Sequence, residues 1–190
     1  MYVVDASVYV CRIVSSEEHH EVSKRFVDDL CASQHAVLCP EILLPEVSSA
    51  LARNLDDTAL AEQAARVIRN LPGHRFVTVD KQLAESAVEV AARHRLKGMD
   101  AIYVALALRQ NARLVTLDDE QLHRAPSGIE AVTPQDELEA VTLRGRGPLT
   151  SSKGSAARGA KCSQPPCADP PEAREDAQAQ THISTIGCQP

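Results

Sequence analysis

The chain has 190 residues, 44% hydrophobic but only 3% aromatic with no Trp, so a core must be built from Ala, Val, Leu and Ile. Its net charge is −6, from 20 Lys and Arg against 26 Asp and Glu. Phosphate contacts need basic side chains, which excludes passive nucleic-acid binding by bulk charge; action on nucleic acid would need a cation to offset the acids.

Tyr2-Val3-Val4 is a short β-branched run ending at Asp5, and reads as a buried strand. Ala6 to Val14 continues apolar and begins a helix. Ser15 and Glu18 have capping-box spacing and predict a helix to about Leu30, with Val22, Phe26, Val27 and Leu30 on one face. Ala36 to Cys39 is a second strand, stopped by Pro40. Leu43 to Leu51 is a helix that tolerates Pro45 in its first turn. Asp57 to Asn70 is another. Phe76 to Val79 is a third strand, and Asp80 caps a helix to about His94. Gly98-Met99-Asp100 then leads into Ala101 to Ala107, apolar on nearly every side, which predicts a buried helix. Arg113 to Leu117 is a fourth strand ending at Asp118-Asp119. A short helix, Glu120 to Arg124, and an edge strand, Ile129 to Val132, complete the series.

Strands alternating with helices predict an α/β domain with a mostly parallel sheet of four to five strands, flanked by helices. The domain is expected over residues 1–143. Residues 144–190 hold six of the eleven Pro and five of the eight Gly and show no helix or strand period, so a disordered tail is expected. In that tail, Cys162 and Cys167 lack partners at zinc spacing. Cys11, Cys31 and Cys39 lie in apolar segments and form no C-x-x-C pair, which fits a reduced, cytoplasmic setting. No apolar run approaches the ~18 residues of a membrane span, and no basic leader opens the chain, so neither membrane segment nor secretory signal is expected.

Four acids carry the chemistry. Each has an ordinary local explanation: Asp5, Asp100 and Asp118 as helix caps, and Glu46 as a first-turn acid favoured by the helix dipole. Their placement says more. Asp5 and Asp118 follow strands, and Asp100 and Glu46 open helices. In an open parallel sheet these positions share the rim where ligands bind. Clustered carboxylates raise each other's pKa unless a cation neutralises them. Oxygen-only ligation points to Mg²⁺ or Mn²⁺, and such a metal serves phosphodiester hydrolysis.

In order and spacing, Val3 to Val8, Pro45 to Leu51, Gly98 to Ala107 and Leu114 to Asp118 resemble the motifs of the PIN-domain family, most closely the VapC-type toxins of bacterial toxin–antitoxin pairs. The resemblance spans roughly Met1 to Leu138. It implies a PIN-like three-layer fold and a Mg²⁺-dependent endoribonuclease, inhibited by a cognate antitoxin and usually dimeric. By position, Asp5, Glu46, Asp100 and Asp118 become the catalytic quartet, with Asp5, Asp100 and Asp118 on the metal. Ser7 and Thr116 match the small hydroxyl positions beside it. Asp119 is not selected by the motif.

Among the basic residues, Arg12 and Lys97 each lie near a motif acid in sequence and are expected to help hold RNA; Lys24, Arg25, Arg53, Arg93 and Arg95 are weaker candidates. Tyr103 is the aromatic expected nearest the cleft. A receiver domain would need paired acids after the first strand and a late Lys. A dehalogenase-type phosphatase would need Asp-x-Asp where this chain has Asp5-Ala6-Ser7. The remaining alternative is a PIN-like module that binds RNA or protein without cleaving it.

Overall fold

Val3 and Val4 are fully buried, which puts their strand in the middle of the sheet. A computed structural model describes residues 1–145, so all but the start of the expected tail, with Cys162 and Cys167, lies outside the described residues. The elements are β1 (Tyr2–Val4), α1 (Ala6–Ile13), α2 (His20–Ala32), β2 (Val37–Pro40), α3 (Leu43–Leu55), α4 (Thr58–Arg69), β3 (His74–Val77), α5 (Lys81–His94), α6 (Gly98–Gln110), β4 (Arg113–Val115), α7 (Asp119–Arg124), β5 (Ala131–Val132) and α8 (Pro134–Gly145). The strand order is β3-β2-β1-β4-β5, and every pairing is parallel. This is the expected α/β fold, with a five-stranded sheet flanked by helices.

The chain builds the sheet outward from β1 on one side, through β2 to β3, then crosses to the other side for β4 and β5. The order therefore reverses between β1 and β4, and their carboxyl ends form the crevice that such a switch point opens. The β1–β4 ladder runs on past the strand, since Asp5 N–H donates to Val115 O at 3.0 Å. Helices pack in sequential pairs, α1 on α2, α3 on α4 and α5 on α6. As the apolar run predicts, Ala101 and Tyr103 through Ala107 are all buried, and α6 packs against β1, β2 and β4.

Several local expectations give way. Ser15 and Glu18 form no capping box: residues 15–19 are exposed turn, and α2 starts only at His20. His20 Nδ1 donates to Cys11 O at 2.9 Å, tying the start of α2 to the end of α1. Asp100 is not an N-cap; Lys97 holds that position and Asp100 lies in the first turn. β3 begins two residues early, because His74 and Arg75 pair with Val37 and Leu38 of β2. The preceding turn needs Gly73, at φ +76°, where a Cβ would sit 2.5 Å from His35 O. No element was expected after Pro134, yet α8 is there, anchored by buried Glu137.

Candidate active site

Asp5 ends β1 and caps α1. Its Oδ2 accepts from Ser7 N–H at 3.0 Å and from Ser7 Oγ at 2.5 Å. Ser7 Oγ in turn accepts from Leu117 N–H at 3.1 Å, so one hydroxyl links the β1 rim to the β4 rim. Thr116 is fully buried, and its Oγ1 accepts from Asp118 N–H at 3.0 Å. Asp118 caps α7, its Oδ1 accepting from Gln121 N–H at 2.9 Å. The two small hydroxyls thus brace the backbone and carboxylates at the two strand ends.

Gln121 ties these acids to the next. Its Nε2 donates to Asp5 Oδ1 at 3.0 Å and to Asp100 Oδ1 at 3.4 Å. Asp100 Oδ2 is buried without a hydrogen-bond partner. Glu46, in the first turn of α3, accepts from Tyr103 OH at 2.5 Å. Tyr103 is fully buried in α6, so the helix that carries Asp100 also steadies Glu46.

The acids repel one another. Burial pushes the Asp100 carboxyl up to about 6, with Asp118 and Asp5 adding to the rise and Lys97 opposing it. Burial also raises Glu46; the Tyr103 hydroxyl pulls it back, while Asp5 and Asp100 push it further. Burial, then Asp5 and Glu46, hold the Tyr103 phenol protonated far above its ordinary range. Asp100 therefore sits within electrostatic reach of Asp5, Asp118 and Glu46, and Glu46 within reach of Asp5. Asp119, by contrast, is exposed on α7.

Among the described residues, no group of three or more His, Cys, Asp or Glu side chains forms a ready-made metal cage. Mg²⁺ does not require one. It keeps several waters and takes one or two carboxylates directly. An oxygen-only set with one orphaned carboxylate oxygen fits that hydrated mode, and Mn²⁺ accepts the same donors.

An open cleft of about 720 Å³ adjoins the acids, lined by Ser7, Val10, Glu46, Ser49, Arg53 and Met99 among others. Its cation is Arg53, a weaker candidate in the sequence. Arg12, expected to help hold RNA, is a correction: it is 5% exposed and its Nη2 donates to Asp28 at 2.8 Å. Arg12 faces inward from α1 and cannot meet a phosphate without leaving the core. Lys97 stays exposed beside the site, its Nζ 3.7 Å from Glu120. Gln121 stands three residues after Asp118, the spacing of a capping box. The same D-x-x-Q spacing carries its side chain in among the acids, but spacing alone does not show where that side chain ends.

Comparison with known proteins adds to this picture. No curated protein matches the chain in sequence. Three solved structures share its fold at low identity. VapC20 of Mycobacterium tuberculosis, described as a sarcin–ricin loop cleaving toxin, is 24% identical with a TM-score of 0.55, over 66% of this chain and 97% of its own. A toxin–antitoxin complex from Klebsiella pneumoniae is 21% identical with a TM-score of 0.52, over 70% and 98%. VapBC2 of Rickettsia felis, solved on a DNA fragment from its promoter, is 13% identical with a TM-score of 0.55, over 70% and 97%. The family model of the PIN domain matches residues 2–127, and on that match the chain belongs to the PIN domain family.

Proposed function

We propose that this protein is a Mg²⁺-dependent endoribonuclease, the toxin of a toxin–antitoxin pair, acting in the cytoplasm. The observation that carries the reading is the acid cluster at the β1–β4 switch point, where Asp100 keeps an unpaired buried oxygen and a raised pKa. Such a cluster is costly without a cation. Asp5, Asp100 and Asp118 would hold Mg²⁺, with Mn²⁺ able to replace it. Bound there, the metal would polarise the phosphoryl group and acidify a water. Glu46 would position the ion or the attacking water, and Tyr103 fixes the orientation of Glu46. Ser7 and Thr116 keep the two strand-end acids in place. The RNA backbone would lie along the cleft that Arg53 lines, with Lys97 at its edge.

VapC20 is named as a sarcin–ricin loop cleaving toxin, and the Klebsiella pneumoniae structure as a toxin–antitoxin complex. That supports RNA as the substrate class and a cognate antitoxin as partner; a homodimer is part of the same proposal. Among the described residues no helix is long and apolar enough to cross a membrane.

The test is cleavage of total RNA in Mg²⁺ by wild type and Asp100→Asn, with the cut ends mapped after induction. Loss of the mapped ends in a folded Asp100→Asn protein is expected. Unchanged cleavage would remove the assignment, and absence of cleavage by wild type would favour the non-catalytic binding module. Co-purification with the product of the adjacent reading frame tests the antitoxin.

A further inference from the structure

Gln121 is fully buried in α7, a position that an apolar side chain could fill without desolvating an amide. Its amide instead turns to the acids, with Nε2 donating to both Asp5 and Asp100. A carboxylate accepts hydrogen bonds and, when ionised, donates none. That fixes the NH₂ end of the amide toward the acids and leaves its carbonyl oxygen over. Gln121 Oε1 is buried with no hydrogen-bond partner, and so is Asp100 Oδ2. One NH₂ group therefore joins two residues that each carry an orphaned acceptor.

An unpaired buried acceptor costs about 1–3 kcal/mol, and each one in a folded protein calls for an explanation. Two of them on hydrogen-bonded neighbours share one. Water satisfies such acceptors, and beside clustered carboxylates a cation and the water it carries do so while also neutralising their charge. Asp5 has both oxygens engaged, by Gln121 and by Ser7. The vacant acceptor capacity is therefore on Asp100 and Gln121.

We infer that Gln121 is a positioning residue of this site: its NH₂ group sets the carboxylates of Asp5 and Asp100, and its carbonyl oxygen accepts from water carried by the divalent cation. The inference rests on the reading of these acids as a cation site. Gln121 does not touch the metal or the substrate. It holds two acids at a fixed separation, so that a cation need not order them as it binds.

The experiment compares wild type, Gln121→Met and Asp100→Asn in two ways. Methionine keeps the volume and flexibility of glutamine but has no donor, so a packing role survives the change and a positioning role does not. Mn²⁺ affinity is measured by calorimetry on each folded protein. Loss of an outer-shell partner lowers metal affinity by roughly 10- to 100-fold, and that fall is expected for Gln121→Met. Independently, the Gln121 side-chain NH₂ resonances of the wild type are followed during Mg²⁺ titration, a readout that needs no variant to fold. They are expected to shift in step with saturation.

Wild-type Mn²⁺ affinity in folded Gln121→Met, or NH₂ resonances unmoved at saturating Mg²⁺, overturns the inference. In either case the acid reading stands if Asp100→Asn has lost binding. Wild-type Mn²⁺ binding by Asp100→Asn overturns the acid reading itself, whatever Gln121 does.

Discussion

The Tyr103 hydroxyl donates to Glu46 Oε2 across 2.5 Å, from the interior of α6 to the first turn of α3. This bond lowers the proton affinity of a carboxyl that burial otherwise raises. Tyr103→Phe keeps the buried ring and removes only the donor, so the Glu46 pKa should rise further. A Glu46 that works ionised then loses activity first at low pH. RNA cleavage by Tyr103→Phe is expected to fall more at pH 6 than at pH 8.5, with the acid limb of the pH profile moved upward. A hydrogen bond to a charged group contributes about 1.5–3 kcal/mol, and urea denaturation should show a loss of that order. A profile that drops uniformly across pH would refute the coupling.

Asp100 makes the metal-free protein sensitive to pH. Its folded pKa is about 6, above the ordinary 3.8. Between those values the folded state holds a proton that the unfolded chain has released. Stability from this group is therefore full below the ordinary value and lost as pH rises through 6. Asp100→Asn should melt higher than wild type at pH 8 without metal, and the gap should close near pH 4. Because Asp100 is part-exposed, solvent screening reduces the effect to the order of 1 kcal/mol, or roughly 3 °C in Tm for a domain of this size. Adding Mg²⁺ at pH 8 should raise the wild-type Tm and leave Asp100→Asn where it was. Calorimetry at the two pH values, with and without Mg²⁺, measures all of this.

Arg12 and Arg53 separate a structural cation from one proposed to face RNA. Arg12 is buried against Asp28, whereas Arg53 lines the cleft. Because Asp28 is half-exposed, Arg12→Ala is expected to destabilise the fold by about 1.5–3 kcal/mol, the worth of a hydrogen bond to a charged group, and leave the salt dependence of RNA binding unchanged. Arg53→Ala should weaken RNA binding and reduce the slope of log affinity against log salt by about 1. An Arg53→Ala slope equal to wild type would place the RNA elsewhere.

Glu137 is 1% exposed, accepts from Tyr2 OH at 2.8 Å and pairs with Arg113. Removing one member of a buried ion pair costs about 3–5 kcal/mol. Glu137→Ala should therefore loosen α8 and lower the free energy of unfolding, measured by urea denaturation, by that order. Glu139→Ala, on the exposed side of the same helix, should change little. Equal effects from both would show that Glu137 is not the anchor.

What could be read ahead of the structure, and what could not, follows from the kind of signal each residue leaves. β1 and α6 were legible because Val3, Val4 and the run after Asp100 are apolar on every side, and such segments have nowhere to go but the core. The acids were legible because an Asp after a strand lands on a predictable rim. α8 was not, since its deepest side chain is a carboxylate and Val141 and Leu143 are exposed, the reverse of an amphipathic stripe. Arg12 misled for a related reason: nearness in sequence to Asp5 says nothing about which side of α1 a residue faces. His74 hid the start of β3 because its polar ring pairs inward, accepting from Tyr9 OH at 2.7 Å through Nε2 and donating to Pro72 O at 2.9 Å through Nδ1. The side chain of Gln121 left no trace in any pattern.

The Tyr2–Glu137 bond also limits how early in synthesis this fold can be completed. It joins the first strand to the last described helix across 135 positions. A chain emerging from the ribosome makes β1, the centre of its sheet, at once, but β4 must follow before Asp5 gains its neighbour strand, and Glu137 later still. Contacts this distant in sequence make folding slow, because the loop must close before they reward it. Asp5, Asp100 and Asp118 are thus brought together only late in synthesis. A nascent chain stalled before Glu137 would carry all four acids without the assembled site that holds them.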